Sequence, residues 1–257
     1  MSGGMEMLVL CVAAFSAGFV DAIVGGGGLI QTPAVLITLP QHPVATLLGT
    51  TKIPSFTGTA MAAAQYAGKI ALHKRLLLVM CLFALPAAFS GSYLVSLFSS
   101  HFVKPLIFIV LAVVAVYTFV KKDFGVHRQS TALGSRQLLR CALFAAVVGF
   151  YDGFVGPGVG SFLLLFFIRF LGFDFLEAGA HAKFVNLSTN AGCIIFFGMS
   201  GHILFAFAIP MAFCNLTGAV LGSRLALLKG SRFVRIFFLL VVAATLVRLG
   251  YDIFNGR

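Results

Sequence analysis

Two aspartates and two lysines are the residues of this chain that could do chemistry, because each stands alone in a long uncharged stretch. Asp21 is the only charge between Glu6 and Lys52, Asp152 the only one between Arg140 and Arg169, and none separates Lys183 from Arg224. The spacing repeats: Lys52 follows Asp21 at the same separation along the chain as Lys183 follows Asp152. A carboxylate in hydrocarbon costs several kcal/mol unless it is paired, hydrated or protonated. Asp21 and Asp152 are therefore candidates for coupling to a proton or another cation, and Lys52 and Lys183 for attracting an anion. Thr51 precedes Lys52, while Lys183, Asn186 and Asn190 fall at i, i+3 and i+7, one helical stripe that can offer an ammonium and two amides to an oxyanion. The alternative for the four charges is structural: lysines that neutralise aspartates for assembly, and aspartates that cap helices.

Glycines accompany both aspartates. Gly25, Gly26, Gly27 and Gly28 follow Asp21, and Gly156, Gly158 and Gly160 follow Asp152 around Pro157. They break apolar segments in corresponding places, and backbone freed at membrane depth must be covered by protein or line a wet cavity. The N-termini of the short helices that follow attract anions through unpaired amides and the helix dipole. Close helix packing through small residues is the competing explanation. No strand or following acidic residue frames the glycines as a dinucleotide fingerprint.

The elements that must position these residues follow from composition. Of 257 residues, 60% are apolar and 10% charged, with a mean hydropathy of +1.05, against about 25% charged for a soluble domain. This excludes disorder, a nucleic-acid binder and a secreted disulfide scaffold, and predicts an all-α, polytopic membrane protein. Cys11, Cys81, Cys141, Cys193 and Cys214 stand singly in apolar stretches and read as small core hydrophobes. No basic residue precedes Lys52, so residues 8–24 read as a retained first helix rather than a cleaved signal.

Laid on itself so that Gly18 falls on Gly149, the chain matches along a whole half without a change of offset. Residues 18–27 and 149–158 share six of ten positions, Lys52 meets Lys183, and Gly91-Ser92 meets Gly222-Ser223. This predicts two membrane repeats, 1–121 and 138–257, joined by a basic link, 122–137. Each repeat holds five apolar pieces: 8–24, 28–39, 44–67, 76–98 and 103–120, then 138–155, 159–171, 176–199, 203–228 and 236–251. Spanning takes roughly 20 helical residues, so the second piece of each is too short. Lys69, Lys74 and Arg75 in one loop, and Lys121, Lys122, Arg128, Arg136 and Arg140 around the link, place both regions in the cytoplasm. In the second repeat the basic residues move to the opposite loop, Lys229, Arg232 and Arg235. The repeats are thus expected to be inverted, with Gly-broken or re-entrant helices at the start of each and both termini outside. Arg169, Arg224 and Arg248 are expected to snorkel to an interface.

At these residues the chain resembles the sulfite exporter TauE/SafE family, also called the toluene-sulfonate uptake permeases. The likeness covers nearly the whole chain: G-F-x-D-x-x-x-G-x-G-G at 18–28, the central basic link, G-F-x-D-x-x-x-G-x-G at 149–158, Thr50-Thr51-Lys52, and Ala182-Lys183-Phe184-Val185-Asn186. The second half departs by having His181 where the first has Thr50, and Pro157 within its glycine turn. The resemblance implies a secondary transporter, not an enzyme, that moves sulfite, sulfonates or related organic anions across the bacterial inner membrane, here read as an exporter. It implies a small anionic substrate, the lipid bilayer, a proton or cation as coupling partner, no cofactor and no nucleic acid, and assigns no oligomeric state. Other classes left open are a passive anion channel, a scaffold subunit, and an intramembrane aspartyl protease. The protease reading lacks the Gly-x-Gly-Asp partner of its Tyr151-Asp152.

Overall fold

The computed structural model describes residues 3–103, 105–107, 109 and 134–254, with side chains up to Val234 and those of Ile236 and Phe237. Lys121, Lys122 and Arg128, most of the apolar piece 103–120, and the side chains of Arg235 and Arg248 lie outside the described residues, so expectations about them do too. Among the described residues all regular structure is helical. In chain order the helices are α1 (Gly3–Val24), α2 (Gly28–Thr38), α3 (Val44–Ala67), α4 (Lys74–Ser96), α5 (Ser135–Phe154), α6 (Val159–Leu171), α7 (Phe175–Met199) and α8 (Phe205–Phe254). The last is broken at Gly230, whose φ of 74° and ψ of −174° divide it near the predicted gap between 228 and 236. Helices α2, α3 and α4 begin at the positions that the internal match pairs with the starts of α6, α7 and α8.

Among the described residues four segments are long and apolar enough to cross a membrane: Gly4–Val24, Lys74–Ser96, Ser135–Phe154 and Phe205–Val234. Their outward stripes, such as Leu8 and Val12 on α1, Leu78 and Leu82 on α4, and Leu139, Leu143 and Val147 on α5, are large and exposed, as lipid rather than water requires. Helices α3 and α7, with 24 and 25 residues, are equally long but carry the polar residues. They pack against each other, with α3 also against α8 and α7 also against α4. Shielded this way, they need no lipid-facing apolar surface of their own.

The outer helices pair through small residues, which in lipid is how backbones come close enough for dispersion to hold them. A Cβ on Gly218 would strike the carbonyl oxygen of Phe15, and one on Gly222 that of Phe19, so α1 and α8 run side by side in the same direction. Helix α4 meets α5 in the same manner, with Gly91 on the Phe150 carbonyl and Gly153 on that of Ala88. Each pair is the counterpart of the other under the internal match.

Equivalent fastenings hold the polar helices at their ends. The amide of Val44, at the start of α3, donates to Ser100 Oγ at 3.0 Å. That of Leu176, near the start of α7, donates to Ser231 Oγ at 3.2 Å and to Asp174 Oδ1 at 2.8 Å, an N-cap that also takes the Glu177 amide. At the start of α8 the Leu204 amide donates to Thr50 Oγ1 at 3.0 Å, and that hydroxyl donates to Thr46 O at 2.6 Å. At the start of α4 the His73 amide donates to His181 Nε2 at 3.0 Å, while His181 Nδ1 lies 2.8 Å from Glu177 O. Both contacts of His181 form together only when the ring is neutral with its proton on Nδ1.

Candidate functional site

The charged residues meet where the two glycine turns meet. Helix α1 ends at Val24, and Gly25 turns the chain with φ +80°; α5 ends at Phe154, and Gly156 turns it with φ +94°. Gly158, at φ +89°, then opens α6. These left-handed conformations are why glycine stands there. The turns press on one another, leaving no room for a Cβ between Gly25 and the backbone of Gly160, while one on Gly28 would lie 3.1 Å from Pro157 Cα.

The lysines reach across to the opposite turn. Lys52 Nζ, from α3, lies 2.7 Å from Asp152 Oδ1 and donates to the Asp152 carbonyl at 2.8 Å. Lys183 Nζ, from α7, lies 3.0 Å from Asp21 Oδ2 and also donates to the Asp21 carbonyl. The recurring Asp-to-Lys spacing thus links no partners within a half; each lysine serves the aspartate of the other. Each ammonium also caps a carbonyl near the C-terminal end of the opposite helix, that of Asp152 for Lys52 and that of Asp21, which also accepts the Gly25 amide, for Lys183. The first pair is buried, with 6% and 4% of its side chains exposed, whereas Asp21 keeps 18%.

Between turns and polar helices lies a cavity of about 40 Å³, compared with roughly 10–15 Å³ for one ordered water. It has room for about three waters. Twelve of the fourteen residues singled out in the sequence line it: Asp21, Gly25, Gly27, Gly28, Thr51, Lys52, Asp152, Gly156, Gly158, Gly160, Asn186 and Asn190. Lys183 and Gly26 are not among the lining residues. Lys183 meets the wall through its contact with Asp21.

The wall also contains Thr32, Ser55, Thr59 and Asn215, none of them among those fourteen. Ser55 and Thr59 were accessible from the sequence, since the internal match pairs them with Asn186 and Asn190. Thr59 Oγ1 lies 3.5 Å from Asp21 Oδ2. Asn215 had no such signal, because its counterpart is Ala84. It is held by a buried chain in which its Nδ2 donates to Gln31 Oε1 at 2.9 Å and Gln31 Nε2 donates to Thr51 O at 2.9 Å.

Not every glycine amide faces the cavity free. Those of Gly25 and Gly27 go to Asp21, to its carbonyl at 2.8 Å and its Oδ1 at 3.3 Å, and that of Gly156 goes to Tyr151 O at 3.1 Å. The donors left to a ligand come from the first turns of the short helices, at Gly28, Val159 and Gly160, all on the wall. The side-chain amides of Asn186 and Asn190 are turned partly on each other, with Asn190 Nδ2 donating to Asn186 O at 2.8 Å and lying 3.1 Å from Asn186 Oδ1. The arrangement is a nearly neutral, polar pocket enclosed by apolar helices, suited to holding a small ion and to letting it go.

A family model described as Sulfite exporter TauE/SafE matches residues 10–249. The chain is 34% identical over 243 residues to "Probable membrane transporter protein ORF9" of Sinorhizobium sp, covering 95% of this chain and 92% of that one. It is 33% identical to a "Probable membrane transporter protein" of Haemophilus influenzae, covering 98% of each. To "Probable membrane transporter protein YfcA" of Escherichia coli it is 34% identical, covering 95% of this chain and 89% of that one. No solved structure matches the chain.

Proposed function

Because the chain belongs to the sulfite exporter TauE/SafE family and is a multi-pass membrane transporter rather than an enzyme, we propose that it moves small sulfur-containing or organic anions, such as sulfite or sulfonates, outward across the bacterial inner membrane. The observation that carries this reading is the cavity where both turns, both aspartates and Lys52 converge. In this role Lys52 supplies attraction that Asp152 tempers, Thr51, Asn186, Asn190 and the first amides of α2 and α6 supply hydrogen bonds, and Lys183 holds Asp21 in place. Asp21 and Asp152 are the candidates for coupling movement to a proton or cation. A space of about three waters suits an anion of sulfite size and not an aromatic sulfonate. Export is favoured by about 2.3 kcal/mol per negative charge per 100 mV of interior-negative potential.

We further propose that 1–121 and 138–257 are inverted repeats around the link 122–137. Supporting this are the reciprocal contacts, Lys52 to Asp152 against Lys183 to Asp21 and α1 to α8 against α5 to α4, which a two-fold relation produces. The switch of basic loops between the halves supports an axis in the membrane plane. Inverted repeats with a mid-membrane site at paired breaks are an architecture of alternating-access transporters.

The test is flux by purified protein in liposomes, with sulfite, thiosulfate, methanesulfonate, toluenesulfonate and acetate offered in turn. Saturable movement of the smaller sulfur anions, lost in Lys52→Ala, is the expected result. Conductance that rises without saturation would instead make the protein an anion channel.

A further inference from the structure

Of the two carboxylates that face the cavity, we propose that Asp152 carries a proton together with the anion, while Asp21 is a fixed counter-charge. This rests on the anion reading above and assigns the coupling to one atom. The two groups differ in how their lone pairs are occupied. Asp21 Oδ1 accepts the Gly27 amide, and its Oδ2 accepts the Lys183 ammonium at 3.0 Å and faces the Thr59 hydroxyl. Asp152 Oδ1 accepts Lys52 at 2.7 Å, but its Oδ2 has no partner. Among the described residues it is the only buried side-chain nitrogen or oxygen so left, in a residue that lines the cavity.

Buried polar atoms are almost always satisfied, so an orphan at a binding wall calls for the group that completes it. A bare oxyanion cannot do so. Its oxygens are acceptors, and they would face the lone pairs of Oδ2. A proton on Oδ2 resolves both difficulties: it removes the negative charge from that oxygen and donates a hydrogen bond to an oxygen of the anion. It comes from the solution on the side where the anion enters, or on the anion itself when that is a hydrogen anion. Either way it sits between Oδ2 and an anion oxygen and leaves with the anion. When the proton comes from the solution, a monovalent anion crosses without net charge and the membrane potential no longer drives it, so its direction follows the anion and proton gradients; an anion that brings its own proton crosses with the charge it already carried and keeps that drive.

The other groups around Asp152 leave this atom free. From α3, Lys52 is engaged by Oδ1 and by the Asp152 carbonyl. From α7, Cys193 stands beside Lys52. From α4, the Ser92 hydroxyl faces Gly153 O at 3.5 Å. On α5 itself, the Tyr151 hydroxyl donates to Pro157 O at 2.6 Å. Asp21, on the same cavity wall, is held by Lys183.

The experiment is anion binding to purified protein in weakly buffered detergent at pH 7, with calorimetry for the anion and a pH indicator for protons. The probe is methanesulfonate, which brings no proton of its own. The wild-type chain is expected to take up about one proton per anion bound. Asp152→Asn should bind with uptake near zero, because the amide oxygen keeps Lys52 while its NH₂ stands where the protonated oxygen stood. Binding without proton uptake in the wild type, or unchanged uptake in Asp152→Asn, overturns the assignment alone. Absence of anion binding by the wild type overturns the anion reading as well. A second measurement needs no variant: one linked proton makes apparent affinity fall about tenfold per pH unit on the alkaline limb, and a flat affinity from pH 6 to 9 would overturn the proposal.

Discussion

Lys52 with Asp152 and Lys183 with Asp21 are the same motif written twice, and they have come to differ in solvation. The first pair is closed off on both sides, and one of its carboxylate oxygens is unpartnered. The second has Asp21 part-exposed, with every carboxylate oxygen engaged by Lys183, Gly27 or Thr59. The two frames match in their contacts, and the residues packed around each set what the charge can do. A fully surrounded, incompletely bonded carboxylate is poised to change its occupancy; a part-hydrated, fully bonded one is anchored.

The strongest way to break this contrast is to remove one lysine at a time. Lys52→Ala leaves Asp152 buried and alone, and should lower stability by about 3–5 kcal/mol, read as the unfolding midpoint of the detergent-solubilised protein. Lys183→Ala should cost visibly less, since water and two other donors reach Asp21. Equal losses would mean that the difference in burial has no energetic weight. Asp152→Asn combined with Lys52→Met should recover much of the Lys52→Ala loss while leaving flux absent.

The turns sharpen the contrast at the next scale. Gly25→Ala and Gly156→Ala both force a Cβ into a left-handed conformation, at about 1–2 kcal/mol each. A Cβ at Gly25 also meets the Gly160 backbone, whereas one at Gly156 approaches Lys52 Nζ at 3.3 Å. The first variant should therefore lose stability beyond the backbone term. The second should fold and lose anion affinity. Gly26→Ala, where the nearest atoms lie 3.8 Å away, should change stability by less than about 0.5 kcal/mol.

The smallest effect expected is at the ends of the polar helices, where His181 stands in the place of Thr50. Protonation puts a hydrogen on Nε2 facing the His73 amide, so that fastening should loosen in acid once the ring is charged, while the one between Thr50 and Leu204 should not. His73, about half-exposed, and Glu177, whose Oε1 is 3.8 Å from His73 Nδ1, are the titratable groups beside His181, and Phe167 and Phe173 cover its ring. Amide exchange at His73 through an acid titration, corrected for its intrinsic rate and compared with Leu204, measures this. His181→Thr should abolish the difference.

Much of the frame was legible because apolar length and glycine breaks are local signals. The predicted pieces 28–39, 44–67 and 159–171 coincide with α2, α3 and α6 to within a residue. Twelve cavity-lining residues could be named because charge and backbone breaks in an apolar chain are conspicuous. The crossing of the pairs could not be read, since a constant spacing says that two residues recur together and not that they touch. Asn215 was hidden for a different reason: its role arises from the close approach of α8 to Gly18 and Gly58, whose missing side chains make room for it. Which turn amides stay free could not be read either, since it is turn geometry that spends those of Gly25, Gly27 and Gly156 on Asp21 and Tyr151.

The side-by-side packing of α1 with α8 also bears on how the chain is made. Helix α1 rests on α8, made long after it, and Asp21 waits for a lysine 162 residues further on. At about 5–20 residues per second, that interval is roughly 10–30 s, during which α1 sits in or beside the bilayer with its small-residue face uncovered and its carboxylate unmatched. The same holds only briefly for α5, because its partners α4 and Lys52 are already in place when it emerges. The order of synthesis is therefore lopsided although the contacts are balanced: α1 is made long before its partners, whereas α5 emerges onto partners already made.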